Sequence, residues 1–425
     1  MKCGVTLVLN YKKTNSYALN VLAGAVEVSP ECADVEIVFA RTPDALYQAV
    51  RDANARGRRA VVAWSFYSPQ FEENYAELRA VRAELAGSDV IHLVGGVHAT
   101  AEPEHVLRGG FDLAAVGEGE KLIGEFLAKL QSGEDPRTAK GIAHLDGDRY
   151  VANGQAERIE LDDFPGCAPK HGRYNPIEIT RGCVYACAFC QTPFMFKAKF
   201  RHRSVESVCE IVRRIKTRAV NDVRFISPTC MSYGSPDESV NLPKIEELLS
   251  SVRAILGREG RLYFGTFPSE LRPEHVSREA LAMLKKYVDN DNLIIGGQSG
   301  SQSVLDATRR GHSVESIIEA VRLTADAGFV PNVDFIFGLP GETPADIEAS
   351  LNLAEELGNL GARVHAHAFM PLPGTPLKSA APGILDASTT KRLEKLASRG
   401  AAYGQWKQQM NAARALGRIL RPQPN

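Results

Sequence analysis

Three cysteines carry the densest chemistry in this 425-residue sequence: Cys183, Cys187 and Cys190, within the run Arg181-Gly182-Cys183-Val184-Tyr185-Ala186-Cys187-Ala188-Phe189-Cys190. Three thiolates cannot close a tetrahedral zinc site or saturate a four-iron cluster, so a metal centre built on them keeps one coordination position open. An open position is where an exogenous ligand binds and reacts. The run follows a short β-like stretch, Ile177 to Thr180, which places the thiols on a loop at a strand end. A zinc knuckle short of one ligand, or three core cysteines, would leave the motifs further along the chain unexplained.

The Cys-x3-Cys-x2-Cys spacing, with aromatic Phe189 directly before the third cysteine, resembles the cluster motif of the radical S-adenosylmethionine (SAM) superfamily. That resemblance implies a [4Fe-4S] cluster on Cys183, Cys187 and Cys190, with SAM chelated at the open iron. It also implies reductive cleavage of SAM to a 5'-deoxyadenosyl radical, and a low-potential electron donor of the ferredoxin or flavodoxin type.

These residues need a scaffold. Six strand candidates separated by helix-length segments follow from the cysteine region onward: Ile177 to Thr180, Val223 to Ser227, Leu262 to Thr266, Leu293 to Gly296, Asn332 to Phe337 and Val364 to Phe369. Such a repeat predicts a partial (β/α)6 barrel with its site at the carboxyl ends of the strands. Candidate SAM contacts there are Ser227 and Thr229 after the second strand, although the family's Gly-Gly-Glu type sequence is replaced. After the third come Ser269, Glu270 and Arg272, a hydroxyl, a carboxylate and a guanidinium suited to ribose hydroxyls and the SAM carboxylate, or to a loop salt bridge between Glu270 and Arg272. Gln298 and Ser299 open a Gln-Ser-Gly-Ser segment that is also found in radical SAM methylthiotransferases, and Ser301 is placed to cap the next helix. Gly338, Leu339 and Pro340 resemble the family segment that runs along the adenine, with Thr343 starting a helix. Alternation puts His365 and His367 on one side of the sixth strand as substrate-facing candidates, the inner or outer side being undecided.

Ahead of the barrel, apolar runs at Val5 to Leu9, Val35 to Phe39, Ala60 to Trp64, Val90 to Val94 and Leu113 to Val116 alternate with helix-like segments such as Ala45 to Ala55 and Glu72 to Leu85. This pattern predicts a doubly wound parallel sheet that binds its ligand at the strand ends. The segments Gly-Gly-Val-His-Ala-Thr and Val-Gly-Glu-Gly-Glu resemble the Rossmann-like (flavodoxin-like) cobalamin-binding domain of cobalamin-dependent radical SAM enzymes. Cobalamin is then expected at Asn10, Thr14, Ser65, Phe66, Tyr67, Ser68, Gly95, Gly96, Val97, His98, Gly117, Glu118 and Gly119, the glycines letting the backbone approach a bulky planar ligand. The Asp-x-His-x-x-Gly motif is absent, so no histidine is expected below the cobalt; Phe66 or Tyr67 is expected near that face and His98 is read as a hydrogen-bonding residue.

The expected organisation is α/β: residues 1–130 as the cobalamin-binding-like domain, 131–173 as a linker with a hairpin near Gly141 to Gly147, 174–382 as the barrel, and 383–425 as a C-terminal extension forming one long helix. The Gln405 to Met410 stretch is read as structural. With 50 basic against 51 acidic residues the chain offers no electrostatic footprint for nucleic acid, and no apolar run is long enough for a membrane span. Cys3, Cys32, Cys167, Cys209 and Cys230 are scattered, the usage of a reducing, cytoplasmic compartment, and each reads as a small buried hydrophobe. Taken together, the resemblance implies a cobalamin-dependent radical SAM C-methyltransferase, in which one SAM methylates the corrin and a second generates the radical on the substrate. A compact subgroup with this layout includes the enzyme that C-methylates a glutamine of methyl-coenzyme M reductase, so a protein or peptide substrate is considered. The alternatives are a methylthiotransferase, a cyclase or rearrangement enzyme whose first domain holds no corrin, and a cobalamin or redox sensor.

Overall fold

The computed structural model describes residues 4–218 and 221–420, and the chain divides into two units, Met1–Asn175 and Pro176–Asn425. Cys3 lies outside the described residues.

In the first unit β1 (Val5–Asn10), β2 (Glu36–Ala40), β3 (Arg59–Ser65), β4 (Val90–Gly95) and β5 (Leu113–Ala115) are all parallel, in the order β2-β1-β3-β4-β5. Every residue of β1 is buried because helices cover both sheet faces, which is why the strand is almost continuously apolar. Val5, Leu7 and Leu9 share one core with Leu19 and Ala23 of the helix Ser16–Val28 and with Leu122 and Phe126 of the helix Gly119–Ser132. Each such fully buried valine, leucine or phenylalanine is worth roughly 1.5–3 kcal/mol. The predicted strands and the two predicted helices, observed at Pro43–Ala55 and Phe71–Glu84, differ from the observed bounds only at their ends.

The segment 131–173 packs within this unit. Its hairpin, β6 (Ile142–Asp146) and β7 (Arg149–Ala152), extends the sheet antiparallel beyond β5. Further on, the Glu27 carboxylate accepts from the backbone N–H groups of Lys170 and His171 at 2.9 and 3.2 Å and lies 2.6 Å from the His171 ring. Gly24 admits the crossing: a Cβ there would lie 1.8 Å from the Cys167 carbonyl oxygen.

The second unit opens with β8 (Ile177–Glu178), β9 (Thr180–Arg181), β10 (Arg201–His202), β11 (Asp222–Ile226) and β12 (Arg261–Tyr263), of which β12-β11-β8 form a parallel sheet. β13 (Asn292–Gln298), β14 (Val330–Phe337), β15 (Arg363–Ala368) and β16 (Ala402–Tyr403) form a second parallel sheet in that order. The segment Gly265 to Leu271 joins the two: Ile294 N–H donates to the Gly265 carbonyl, and Leu271 bonds both Ile294 and Gly296. β14 alternates buried and half-buried residues. A Cβ on Gly297 would meet Val333, Phe335 and Ile317, the last on the helix Val314–Asp326, so Val333 and Phe335 face the outer helices. Asn332, Asp334 and Ile336 therefore face inward. Register pairs Asp334 with His365 and Ile336 with His367, which places both histidines on the inner face.

The tail departs from the single long helix expected of it. Two helices, Ala387–Ser398 and Trp406–Leu420, flank β16, a seventh parallel strand on the edge of β15. Glycines break the helix: Gly400 has φ 73°, and Gly404 has φ 144° with its would-be Cβ 2.2 Å from the Ala366 carbonyl oxygen. Gly404→Ala is therefore expected to cost about 2–4 kcal/mol in denaturant unfolding, through backbone strain and lost β15–β16 contact; an unchanged midpoint would show that this crossing is not tight.

Candidate active site

The cysteine loop is pinned at its base. β9 and β10 pair antiparallel, Arg181 opposite Arg201, so the two ends of the loop are held together. Arg181 grips Glu178 with two bonds of 3.0 and 2.7 Å. Gly182 turns the chain with φ 81°, where a Cβ would lie 2.2 Å from the Lys199 carbonyl oxygen. Within the loop, Ala188 N–H donates to the Thr308 carbonyl and Cys190 N–H to that of Cys187. All three cysteines are free thiols, Cys183 and Cys187 buried and Cys190 half-buried. Burial pushes the Cys183 thiol up to about 12 and raises Cys190 as well, so these sulfurs ionise only against a cation. Three free thiols on one clamped loop fit a four-iron cluster with one open iron.

One cation is already aimed at this loop. Arg310, fully buried, donates through Nη1 to the Cys187 sulfur at 3.3 Å and through Nη2 to the Gly296 carbonyl at 2.6 Å. The sequence gives Arg310 no role, because nothing local to the run Arg309-Arg310-Gly311-His312 points to a sulfur 123 residues away.

The predicted SAM contacts fall into two groups. Phe189 and Leu339 join one apolar cluster with Val304, Ile336 and Phe369, a surface suited to an adenine. Gly338, at φ 78°, crosses so close to Gly383 that a Cβ would lie 2.8 Å from its Cα, and its N–H donates to Glu342; Pro340 continues the turn. Thr343 caps the next helix in a reciprocal pair with Asp346, as expected. The polar group lies around β11 and the joining segment. Ser227 Oγ is buried with no partner among the described residues, which suits a ligand hydrogen bond, while Ser269 Oγ donates to the Phe225 carbonyl and Thr229 faces His275. Burial pushes the Glu270 carboxyl up to about 7, with Arg310 and Arg272 pulling against it. Arg272 is spent elsewhere: it pairs with Glu274, donates to the Arg310 carbonyl and lies 3.5 Å over the Tyr185 ring, so the Glu270–Arg272 bridge does not form.

Gln298 ends β13 at φ 76°, a strained conformation for a side-chain-bearing residue, beside a register shift in the ladder. Ser299 hydrogen-bonds Ser350, and Gly300 sits against the backbone of Ser350. Ser301 does not cap with its hydroxyl, which reaches Asp346 and Ser303 instead.

In the first unit the strand ends surround a cavity of about 220 Å³ lined by Lys12, Thr14, Asn15, Ser65, Phe66 and Glu73. Tyr67 is 52% exposed beside it, whereas the Phe66 side chain is buried against Tyr75, His98 and Phe111. His98 is buried, with Nδ1 at 3.1 Å from Ser68 Oγ and Nε2 at 3.3 Å from His105, so both ring nitrogens are engaged. Asn10 bonds Glu77, and Glu118 accepts from Ile159 N–H at the start of the helix at Gly119. The glycines serve the protein's own packing: a Cβ on Gly96 would meet Ser65 Oγ at 2.7 Å, and one on Gly117 the Ala156 nitrogen at 3.1 Å. Gly95 and Val97 flank that turn. Cavity, exposed Tyr67 and adjacent hydroxyls lie together at the strand ends, where a doubly wound sheet binds its ligand.

Residues 177–354 match the radical SAM superfamily and residues 9–127 the B12 binding domain. The chain carries a radical SAM domain and a B12-binding domain. This radical SAM enzyme is 30% identical over 242 residues to a Methanocaldococcus jannaschii protein named provisionally as a methylthiotransferase, 55% of this chain and 51% of that one. It is 27% identical to the tRNA-2-methylthio-N(6)-dimethylallyladenosine synthase of Geobacter metallireducens, over 84% of this chain and 75% of the other. The match thus spans about half the length of the first of these relatives. Among solved structures, its fold resembles the methyltransferase TsrM from Kitasatospora setae, described with cobalamin and a [4Fe-4S] cluster bound: TM-score 0.69, 18% identity, 89% of this chain and 74% of that one. The cobalamin-dependent radical enzyme OxsB gives TM-score 0.63 at 19% identity, covering 83% and 52%. Among the described residues no helix is long and apolar enough to cross a membrane.

Burial, helped by neighbouring His105, lowers His98 to about 3, so it is neutral in the folded chain and protonates more readily when unfolded. Its stabilising contribution is complete above the ordinary histidine range near 6.5 and is lost as pH falls toward 3. His98→Gln is expected to flatten the fall in unfolding free energy between pH 6.5 and 4; an acid limb identical to that of the parent protein would remove His98 from the account.

Proposed function

We propose that this chain is a cobalamin-dependent radical SAM C-methyltransferase acting on an unactivated carbon, with a glutamine side chain of a large protein such as methyl-coenzyme M reductase as the finer substrate reading. The observation that carries the proposal is the pairing, in one chain, of a three-thiol loop that leaves a coordination position open with a B12-binding unit whose His98 is spent internally. When bound, the cluster would supply the electron that cleaves SAM, and the corrin a transferable methyl group. The residues of the chain bind and orient. Cys183, Cys187 and Cys190 would hold the cluster, with Arg310 donating to Cys187. Phe189 and Leu339 would line the adenine, Ser227 Oγ and the Glu270 carboxyl would offer hydrogen bonds to SAM, and Thr14, Ser65 and Tyr67 would border the corrin. A ferredoxin- or flavodoxin-type protein would donate electrons.

The curated relatives favour a second reading, methylthio transfer. That chemistry calls for a second set of clustered cysteines, whereas the three cysteines of the first unit, Cys3, Cys32 and Cys167, are widely spaced in sequence, and Cys32 and Cys167 are buried.

Protein purified anaerobically from cells supplied with cobalamin separates the readings. The proposal predicts about one corrin per four irons and, with SAM carrying a deuterated methyl group, the label on a product carbon. Changing Cys183, Cys187 and Cys190 to alanine should abolish iron while retaining corrin. Four irons without corrin, or a product that gains sulfur, would overturn it.

A further inference from the structure

A second set of donor atoms converges on the inner face of β14 and β15. Asp334 Oδ1 lies 2.9 Å from His365 Nδ1 and 3.7 Å from His367 Nε2, and the two ring nitrogens are 3.1 Å apart. The three side chains are half-buried, and Tyr403 of β16 stacks on His365 with 4.5 Å between centroids and 5° between planes. From the far side Gln409, in the helix Trp406–Leu420, accepts from Ala368 N–H through Oε1 and sets its amide nitrogen 2.9 Å from His367 Nδ1. The residues read as structural filler therefore hold the second histidine in place.

Protons alone satisfy this geometry poorly, the best they offer being one His365 Nδ1–H shared between Asp334 Oδ1 and His367 Nε2. An imidazole nitrogen has one in-plane bonding direction, filled by a proton or by a lone pair. If His365 Nδ1 donates to Asp334, it has nothing with which to accept from His367. If it accepts from His367, its lone pair faces a carboxylate oxygen at 2.9 Å. A cation bound by all three atoms removes the conflict. Ligand bonds of roughly 2.1 Å at tetrahedral or octahedral angles give ligand–ligand edges of roughly 3.0–3.4 Å, close to the 2.9, 3.1 and 3.7 Å observed.

The geometry points to a mononuclear site for a divalent first-row transition ion on Asp334, His365 and His367, separate from the cysteine loop. Two histidines and one carboxylate leave further positions open to the interior of the barrel, where an oxygen or nitrogen donor of a substrate would bind. The site rests on these side chains and is independent of whether cobalamin is bound. It has one structural consequence. When Nε2 of His367 binds the ion, Nδ1 carries the proton, so the Gln409 amide must turn over and give up its bond to Ala368 N–H. A carboxylate at this position would accept from both donors.

Full-length protein with Cys183, Cys187 and Cys190 changed to serine, which removes the thiolates, is titrated with Co2+ and followed by visible absorption and calorimetry. One ion per chain is expected. Adding Asp334→Asn, or His365→Ala with His367→Ala, should weaken binding about 100-fold or more, whereas Gln409→Glu should tighten it about tenfold. If the serine background does not fold, as judged by circular dichroism, metal analysis of the reconstituted parent protein replaces the titration: one metal ion beyond the cluster irons, lost in the double histidine variant. No stoichiometric ion in folded protein, or binding indifferent to the histidines, would overturn the site.

Discussion

Thiols buried on a clamped loop set the terms for the second unit. Burial holds Cys183 near 12 and raises Cys190, so both thiols keep their protons at neutral pH unless a metal displaces them. Neighbouring features answer to that need. The β9–β10 pair shuts the base of the loop, Gly182 makes the turn no other residue could make without displacing Lys199, and Arg310 brings a guanidinium to Cys187 from another strand end. The same arginine pulls on Glu270, whose carboxyl burial raises to about 7. Cluster loop and candidate SAM-binding carboxylate thus share one cation, and a change at either would be felt at the other.

Much of this was legible from the chain alone. The parallel strands of both units follow from apolar runs of strand length, and β1 is buried on both faces as its unbroken pattern requires. The cysteine trio was readable because its spacing is local. What escaped sequence reading is what depends on contacts between distant segments. The run 131–173 is rich in turn-forming residues and looks like a linker, yet Glu27 and the crossing at Gly24 tie it to the first unit. The tail has helical periodicity, and Gly404 interrupts it for a reason visible only at Ala366.

The candidate site divides in the same way. Alternation showed that His365 and His367 share a face, but which face depended on Gly297 packing against Val333, Phe335 and Ile317. Asp334 could have been drawn in from the alternation of β14, which puts it on the inner side; Gln409 could not, since 42 residues separate it from His367. Glycine-rich strand ends in the first unit were read as room for a ligand, and two of them prove to be room for Ser65 and Ala156. Arg272 looked like a ligand clamp by its chemistry and is held by Glu274 and Tyr185.

The central claim is that the three-thiol loop leaves one iron free for SAM. Electron paramagnetic resonance of the reduced, reconstituted protein, recorded with and without SAM, tests it most directly. The account predicts one four-iron signal whose g-values shift on adding SAM, as the open iron gains a chelating ligand. A spectrum untouched by saturating SAM would mean that the fourth position is closed, and the chemistry assigned to this loop would be contradicted.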